Sequence, residues 1–257
     1  MTETTTPNSS PVASAELSLD LIITCADGLE APLQTELTSF GIASDIKSTG
    51  RLAVTGTLRD LYTICLWSRV ASRVLMLIKR KNINTEYDVA EQLYGLAKSV
   101  DWTEQFKLEQ TFAIRLSVDK RVAVSQQFAM LRIKDAIADT FNEVYDSRPN
   151  VDSKNPDFSV FATVNDKQAE LYLDLSGTSL HRRGYRVAMT EAPLKENLAA
   201  ALLYSAGWHK KNEQGNAPLY NALIDPMCGS GTFIIEALLM HCDYAVGIDK
   251  AANQFGF

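Results

Sequence analysis

Apolar and polar positions along this chain follow two periods, and the switches between them mark the elements. The run LDLIITCA (19–26) is short, apolar and rich in β-branched residues, which predicts a strand. In EAPLQTELTSFG behind it, Leu33, Leu37 and Phe40 recur at helical spacing and Gly41 supplies a stop. GRLAVTG (50–56) predicts another strand, LRDLYTICLWSRVASRVLMLI (58–78) a long helix running into a strand, and TEYDVAEQLYGLAKSVDW (85–102) an amphipathic helix. TFAIRLSVD (111–119) alternates like a strand. SQQFAMLRIKDAIADTFNEVY (125–145) reads as a helix with Phe128, Leu131, Ile137 and Phe141 inward, and 158–177 as two strands turning at Asn165-Asp166-Lys167. APLKENLAAALLYSAGW (192–208) is helical, KKNEQGNAP (210–218) a loop and YNALID (220–225) a strand. The order predicts an α/β fold of two small units followed by the start of a third, without a repeat of fixed period.

Composition narrows the classes. At 257 residues, 46% hydrophobic and 22% charged, the chain is long enough for two compact domains. No window approaches eighteen apolar residues. The N-terminus MTETTTPNSSPVASAE has neither a basic nor an apolar region, so no membrane span or secretory signal is expected and residues 1–16 read as a disordered tail. Cys25, Cys65, Cys228 and Cys242 are scattered and only three histidines occur, which argues against a metal site or a disulfide framework and points to a cytoplasmic location.

A formal charge of −6 gives no global pull toward nucleic acid, so such binding needs a local basic face. One candidate lies between 177 and 211, where Arg182, Arg183, Arg186, Lys195, Lys210 and Lys211 face only Glu191 and Glu196, with His181, Tyr185 and His209 interleaved. Lys120, Arg121, Arg132, Lys134 and Arg148 add to it from the second unit. The plainer reading is a solvated linker with ordinary surface charge.

The chemistry-bearing stretch is DPMCGSGT, comprising Asp225, Pro226, Met227, Cys228, Gly229, Ser230, Gly231 and Thr232, between an apolar run and a helix. A phosphate-binding loop would need a lysine beside it, and none is near. A dinucleotide fingerprint would need a third glycine where Ile234 stands. An acid at a strand end followed by Gly-x-Gly matches the S-adenosylmethionine turn of Rossmann-like methyltransferases. The glycines let backbone approach the methionine part of the cofactor, and Asp225 balances its ammonium group. Alternatively, Asp-Pro is a mere turn and the glycines a mere helix start. Cys228 reads as a small packing residue, since no histidine is close to it in sequence.

The longer motifs decide between these. CADGLEAPLQTEL, CLWSRVASRVLMLI, RIKDAIADTF, RPNVD and the stretch from FSVFATV through LHRRGYRVAMTEAPLKENLAAALLYSAGW to LIDPMCGSGTFIIEA occur in the order of one family. The chain resembles, from about residue 19 to its end, the THUMP-containing class I methyltransferases, specifically the bacterial enzymes that methylate guanine N2 in 23S ribosomal RNA. The resemblance implies a ferredoxin-like domain at 17–80, an RNA-binding THUMP domain at 81–176, a linker and helix at 177–216, and the start of a Rossmann-like methyltransferase domain at 217–257. It implies S-adenosyl-L-methionine as cofactor, with Lys195, Glu196 and Asn197 at the start of the 192–208 helix as further cofactor neighbours, although a simple helix N-terminus explains Glu196 equally well. With an RNA-binding domain implied, the basic stretch and the second unit offer Lys134, Arg148, Arg182, Arg183 and Arg186 as the candidate RNA contacts.

One family feature is missing. The Asn-Pro-Pro-Tyr turn that aims a guanine amine at the methyl group is not in the chain, whose Asn155-Pro156 is followed by Asp157. No catalytic residue is therefore assigned. The expectation is a C-terminally truncated chain, inactive alone, with a stand-alone RNA-binding module as the alternative function. VGIDK would make Asp249 the ribose-binding acid, but 243–257 also fits the family's insertion after the first helix, ending in Phe255-Gly256-Phe257, and Asp249 stays unassigned.

Overall fold

The computed structural model describes residues 18–186, 193–211, 215 and 218–250. The expected tail at 1–16 and the Phe255-Gly256-Phe257 stretch lie outside the described residues. Strands β1 (Leu19–Thr24), β3 (Arg51–Gly56) and β4 (Arg73–Asn82) pair antiparallel with β1 in the middle, and the short β2 (Asp45–Ser48) adds to the edge of β3. Leu19, Leu21 and Ile23 of β1 and Leu52 and Val54 of β3 point to the buried side, and helices α1 (Glu30–Ser39) and α2 (Leu58–Trp67) contribute Leu33, Leu37, Leu61 and Ile64 to the same core. Thr57 and Asp60 form a reciprocal cap that starts α2.

The second unit carries α3 (Val89–Lys98), β5 (Phe112–Val118), α4 (Gln126–Tyr145), β6 (Phe158–Val164) and β7 (Gln168–Asp174). Side chains of Asp88 and Ser125 cap α3 and α4. β5 and β6 run parallel, and β6 and β7 form the antiparallel hairpin expected around Asn165-Asp166-Lys167. The two units share one sheet. β4 pairs with β7 from Leu75↔Asp174 to Asn82↔Gln168, which gives the continuous order β2-β3-β1-β4-β7-β6-β5. Asp174 is fully buried on this seam and accepts hydrogen bonds from Arg73, Arg115 and the Ser176 amide. Burial pushes its carboxyl up while the Arg73 charge pulls it back.

Two expectations change. In α4 the inward residues are Ala129, Ile133, Ala136, Ile137 and Phe141, whereas Phe128 and Leu131 are 49% and 44% exposed. Alanines let α4 lie close against α3, and that contact sets the helix rotation. Residues 220–225 do not form a strand, because no described strand runs beside them to take their backbone hydrogen bonds. Helices α5 (Glu196–Ser205) and α6 (Thr232–His241) pack on each other, and α5 also touches α1. No helix among the described residues is long and apolar enough to cross a membrane, and no described cluster of side chains would hold a metal ion.

Candidate cofactor site

Asp225 opens the turn, its Oδ1 accepting from the Met227 amide at 3.1 Å. Gly229 and Gly231 have φ of 52° and 73°, the left-handed region where glycine carries no steric cost. The Gly231 amide donates to the Cys228 carbonyl at 2.7 Å, and α6 then starts at Thr232 with no side chain capping it. Uncapped amides of a ten-residue helix form an anion-attracting end. An acid for an ammonium group, glycines for close approach and a helix start for a carboxylate fit the methionine end of S-adenosylmethionine. Cys228 is exposed, as are Pro226 and Met227, so Cys228 does not pack as its size suggested.

Arg186 ties this turn to the start of α5. Its Nε donates to Glu196 Oε1 at 3.1 Å and its Nη2 to the Leu194 carbonyl at 2.9 Å. Thr232 Oγ1 at 3.3 Å and Ser230 Oγ at 3.4 Å complete its shell. These four partners hold the Arg186 guanidinium inside the protein, where it bridges the 225–232 turn and α5 rather than standing in a solvent-facing stripe. Lys195 is exposed at the N-cap of α5. Asn197 points the other way: its Nδ2 donates to Ser72 Oγ at 2.9 Å and the Val70 carbonyl at 3.4 Å, and the side chain is buried against the first unit.

Arg183 also leaves the stripe. It is 5% exposed, donates to the carbonyls of Leu180 and Arg69, and lies 3.5 Å from Glu236 Oε1. Tyr185 donates to the same oxygen at 3.0 Å. Around them, Glu36 accepts from the Ser68 hydroxyl at 2.5 Å and the amides of Arg69 and Val70 at 2.7 and 3.2 Å, while Arg69 Nη2 donates to the carbonyls of Tyr244 and Leu239 at 2.7 and 3.1 Å. Burial pushes the carboxyls of Glu36 and Glu236 up, opposed by hydrogen bonds at Glu36 and by the Arg183 charge at Glu236. Beyond α6 the Gly247 amide donates to the Leu66 carbonyl at 2.8 Å, and Lys250 Nζ donates to the Thr178 carbonyl at 3.0 Å. This junction bolts the segment after α6 to α2 and to the loop after β7. Asp249 accepts from the Tyr244 hydroxyl at 2.8 Å within the same turn.

Of the residues read as RNA contacts, Arg182 is exposed, Arg148 reaches Asp139 at 3.3 Å with most of its side chain in solvent, and Lys134 is partly exposed beside Asp135. The junction residues were missed. Their signal was an acid on an apolar helix face: Glu36 between Leu33 and Leu37, and Glu236 inside FIIEALLM.

Three known families match successive stretches of the chain. Residues 20–75 match the RlmL ferredoxin-like domain, 87–174 the THUMP domain, and 183–255 the RMKL-like methyltransferase domain. The chain carries these three domains. The THUMP boundaries put α3 through β7 in one domain, and the RMKL-like match takes in Arg183, Arg186, α5 and the turn. A ribosomal RNA large subunit methyltransferase K/L of Psychrobacter arcticus is 93% identical over 257 residues, covering 100% of this chain and 34% of that protein. Its counterpart in Acinetobacter baumannii is 46% identical over 238 residues, 91% of this chain and 31% of the relative. The chain thus spans about a third of the length of the curated relatives it matches. The crystal structure of SMU.472, a putative methyltransferase complexed with SAH, superposes with a TM-score of 0.74 at 27% identity, over 93% of this chain and 59% of that one.

Proposed function

We propose that this chain forms the RNA-recognition part and the cofactor turn of an S-adenosylmethionine-dependent methyltransferase that acts on guanine N2 of 23S ribosomal RNA in the cytoplasm. The observation that carries this reading is the Asp225–Thr232 turn, with both glycines at positive φ and an uncapped helix behind it. When bound, S-adenosylmethionine supplies an electrophilic methyl group. Asp225 would balance the cofactor's ammonium group, and the uncapped α6 amides, with Arg186 beside them, would hold its carboxylate. Lys195 stands exposed at the neighbouring helix start, while Asn197 holds that helix to the ferredoxin-like domain.

The RNA contacts fall to the exposed Arg148 and Arg182 and the partly exposed Lys134. The purified chain is expected to bind fragments of structured ribosomal RNA with an affinity that falls steeply with salt, since each phosphate neutralised releases counterions. Replacing Lys134, Arg148 and Arg182 together with alanine should weaken binding and flatten the salt slope. An unchanged slope would reject these residues as the phosphate contacts. Binding of RNA without any cofactor affinity, even in a chain extended through the remaining length of its relatives, would favour a stand-alone RNA-binding module.

A further inference from the structure

A cleft of about 1070 Å³ opens between the ferredoxin-like domain and the distal ends of α5 and α6, away from the cofactor turn. We propose that this cleft holds a single-stranded segment of the RNA substrate and so anchors the RNA next to the methyltransferase domain. The proposal rests on the RNA reading above, and it assigns a surface outside the THUMP domain.

The lining supplies what a strand needs, cations for phosphates and flat faces for bases. Arg59 on α2 and Lys210 and Lys211 after α5 are exposed cations at the cleft, while Phe40, Trp67 and Trp208 are half-buried aromatics lining it. The acids in the lining are Asp60, whose carboxylate is occupied in capping α2, and Asp243. Against a chain of net charge −6, a cleft with this cationic excess is an electrostatic exception. The platforms are held in place. Trp208 Nε1 donates to the Ala237 carbonyl at 3.0 Å, and its ring lies parallel to Tyr220 with centroids 6.4 Å apart. The backbone under the lysines is also fixed, because the Leu219 amide donates to the Lys210 carbonyl at 2.8 Å and Lys211 bridges Pro218. A further cation, Arg69, forms part of the wall, 5% exposed and with its Nη1 lacking a hydrogen-bond partner among the described residues.

Position gives the cleft its role. Arg186 joins the starts of α5 and α6, whereas the cleft is lined from their far ends, roughly 15 Å away along helices of this length. A strand held there does not present its base to the cofactor. It acts as an anchor flanking the reacting nucleotide.

Tryptophan fluorescence of the intact chain during titration with an eight-nucleotide oligouridylate tests this. Trp67 and Trp208 line the cleft, while Trp102 is fully buried in the core and serves as a silent internal reference. Quenching is expected, with affinity falling about 20-fold between 50 and 200 mM salt if three phosphates are contacted, a log–log slope of about −2. Replacing Arg59, Lys210 and Lys211 together with alanine should remove most of that slope. Trp67→Ala should weaken binding about tenfold, and Trp67→Phe should restore most of the affinity while giving less quenching. These exposed charges can be changed without touching the core, so circular dichroism of the triple variant should match the parent. Quenching and affinity that survive both the triple variant and Trp67→Ala would overturn the assignment. So would an absence of oligouridylate binding in a chain that still binds structured RNA through Lys134, Arg148 and Arg182. Failure to bind either RNA would overturn the broader reading as well.

Discussion

Glu36 gathers three donors at zero exposure, so its removal is costly for a nameable reason. Glu36→Ala leaves the Ser68 hydroxyl and the Arg69 and Val70 amides without an acceptor in a buried place. The expected destabilisation is about 3 kcal/mol, read as a urea midpoint lowered by about 1 M. Gly247 fails differently. A Cβ there would lie 2.5 Å from the Cys65 carbonyl oxygen and 2.9 Å from Leu66 Cα, both backbone, so Gly247→Ala must push the segment off α2. Hydrogen exchange of residues 239–250 should rise while exchange in β1–β7 stays unchanged; protection kept in that segment would show the contact to be dispensable. Lys250 gives a pH signature, because burial pushes its amine down to about 8 from 10.5. The folded chain then binds fewer protons than the unfolded chain between those values, so the burial cost of Lys250 is full below pH 8 and fades as pH rises toward 10.5. Lys250→Met should therefore be most stabilising, relative to the parent, near pH 7, and its advantage in melting temperature should shrink toward pH 10. These roles were faintly legible. An acid amid leucines marked Glu36, but nothing in sequence pairs Gly247 with a helix end some 180 positions earlier, since such a contact exists only once two domains are docked.

At the scale of elements, periodicity carried most of the fold: β1, α1, β3, α2, β4, α3, β5, α4 and the β6–β7 hairpin all lie where alternation or helical spacing placed them. What it could not carry was pairing between units. DIKS became β2 although each of its four residues is exposed, because an edge strand needs a neighbour's backbone more than an apolar face. The β4–β7 seam likewise depends on register across ninety-odd positions of chain, and no local pattern encodes it. It has a consequence for dissection of the molecule. A fragment of residues 17–82 would expose one side of β4 over most of its length, with Leu75, Met76 and Leu77 near the open edge. Such an edge recruits other strands, so the fragment should self-associate in size-exclusion chromatography, whereas residues 17–186 should run as a monomer. A monomeric, folded 17–82 would show that the ferredoxin-like domain does not rely on the shared sheet.

Across the whole molecule, the basic stretch of sequence separates into three destinations once folded. Arg182 faces solvent, Arg183 is buried against Glu236, and Arg186 holds Ser230 and Thr232. Composition gave all three one reading because it records charge and not burial. The backbone of the 225–232 turn was legible, since glycines at fixed offsets after an acid state a conformational requirement directly, and Gly229 and Gly231 do take positive φ. Its surroundings determine what the chain does alone. Ile224 and Met227 beside the turn are 87% and 89% exposed, and Asp249, which VGIDK would make a ribose-binding acid, accepts from the Tyr244 hydroxyl. A ligand seated on this turn would keep much of its surface in water, and the contacts made would not offset the cost of ordering it. Isothermal titration of the purified chain with S-adenosylmethionine should accordingly show no micromolar binding, and a radiolabelled methyl assay on ribosomal RNA no transfer. In a chain extended through the remaining length of its relatives, both should be present, and Asp225→Ala or Arg186→Ala should then raise the cofactor Kd at least tenfold while leaving RNA affinity within about twofold, a split of at least 1.4 kcal/mol on one ligand alone. Micromolar binding by the present chain, abolished by Asp225→Ala, would instead mean that these residues already enclose the cofactor despite their exposure.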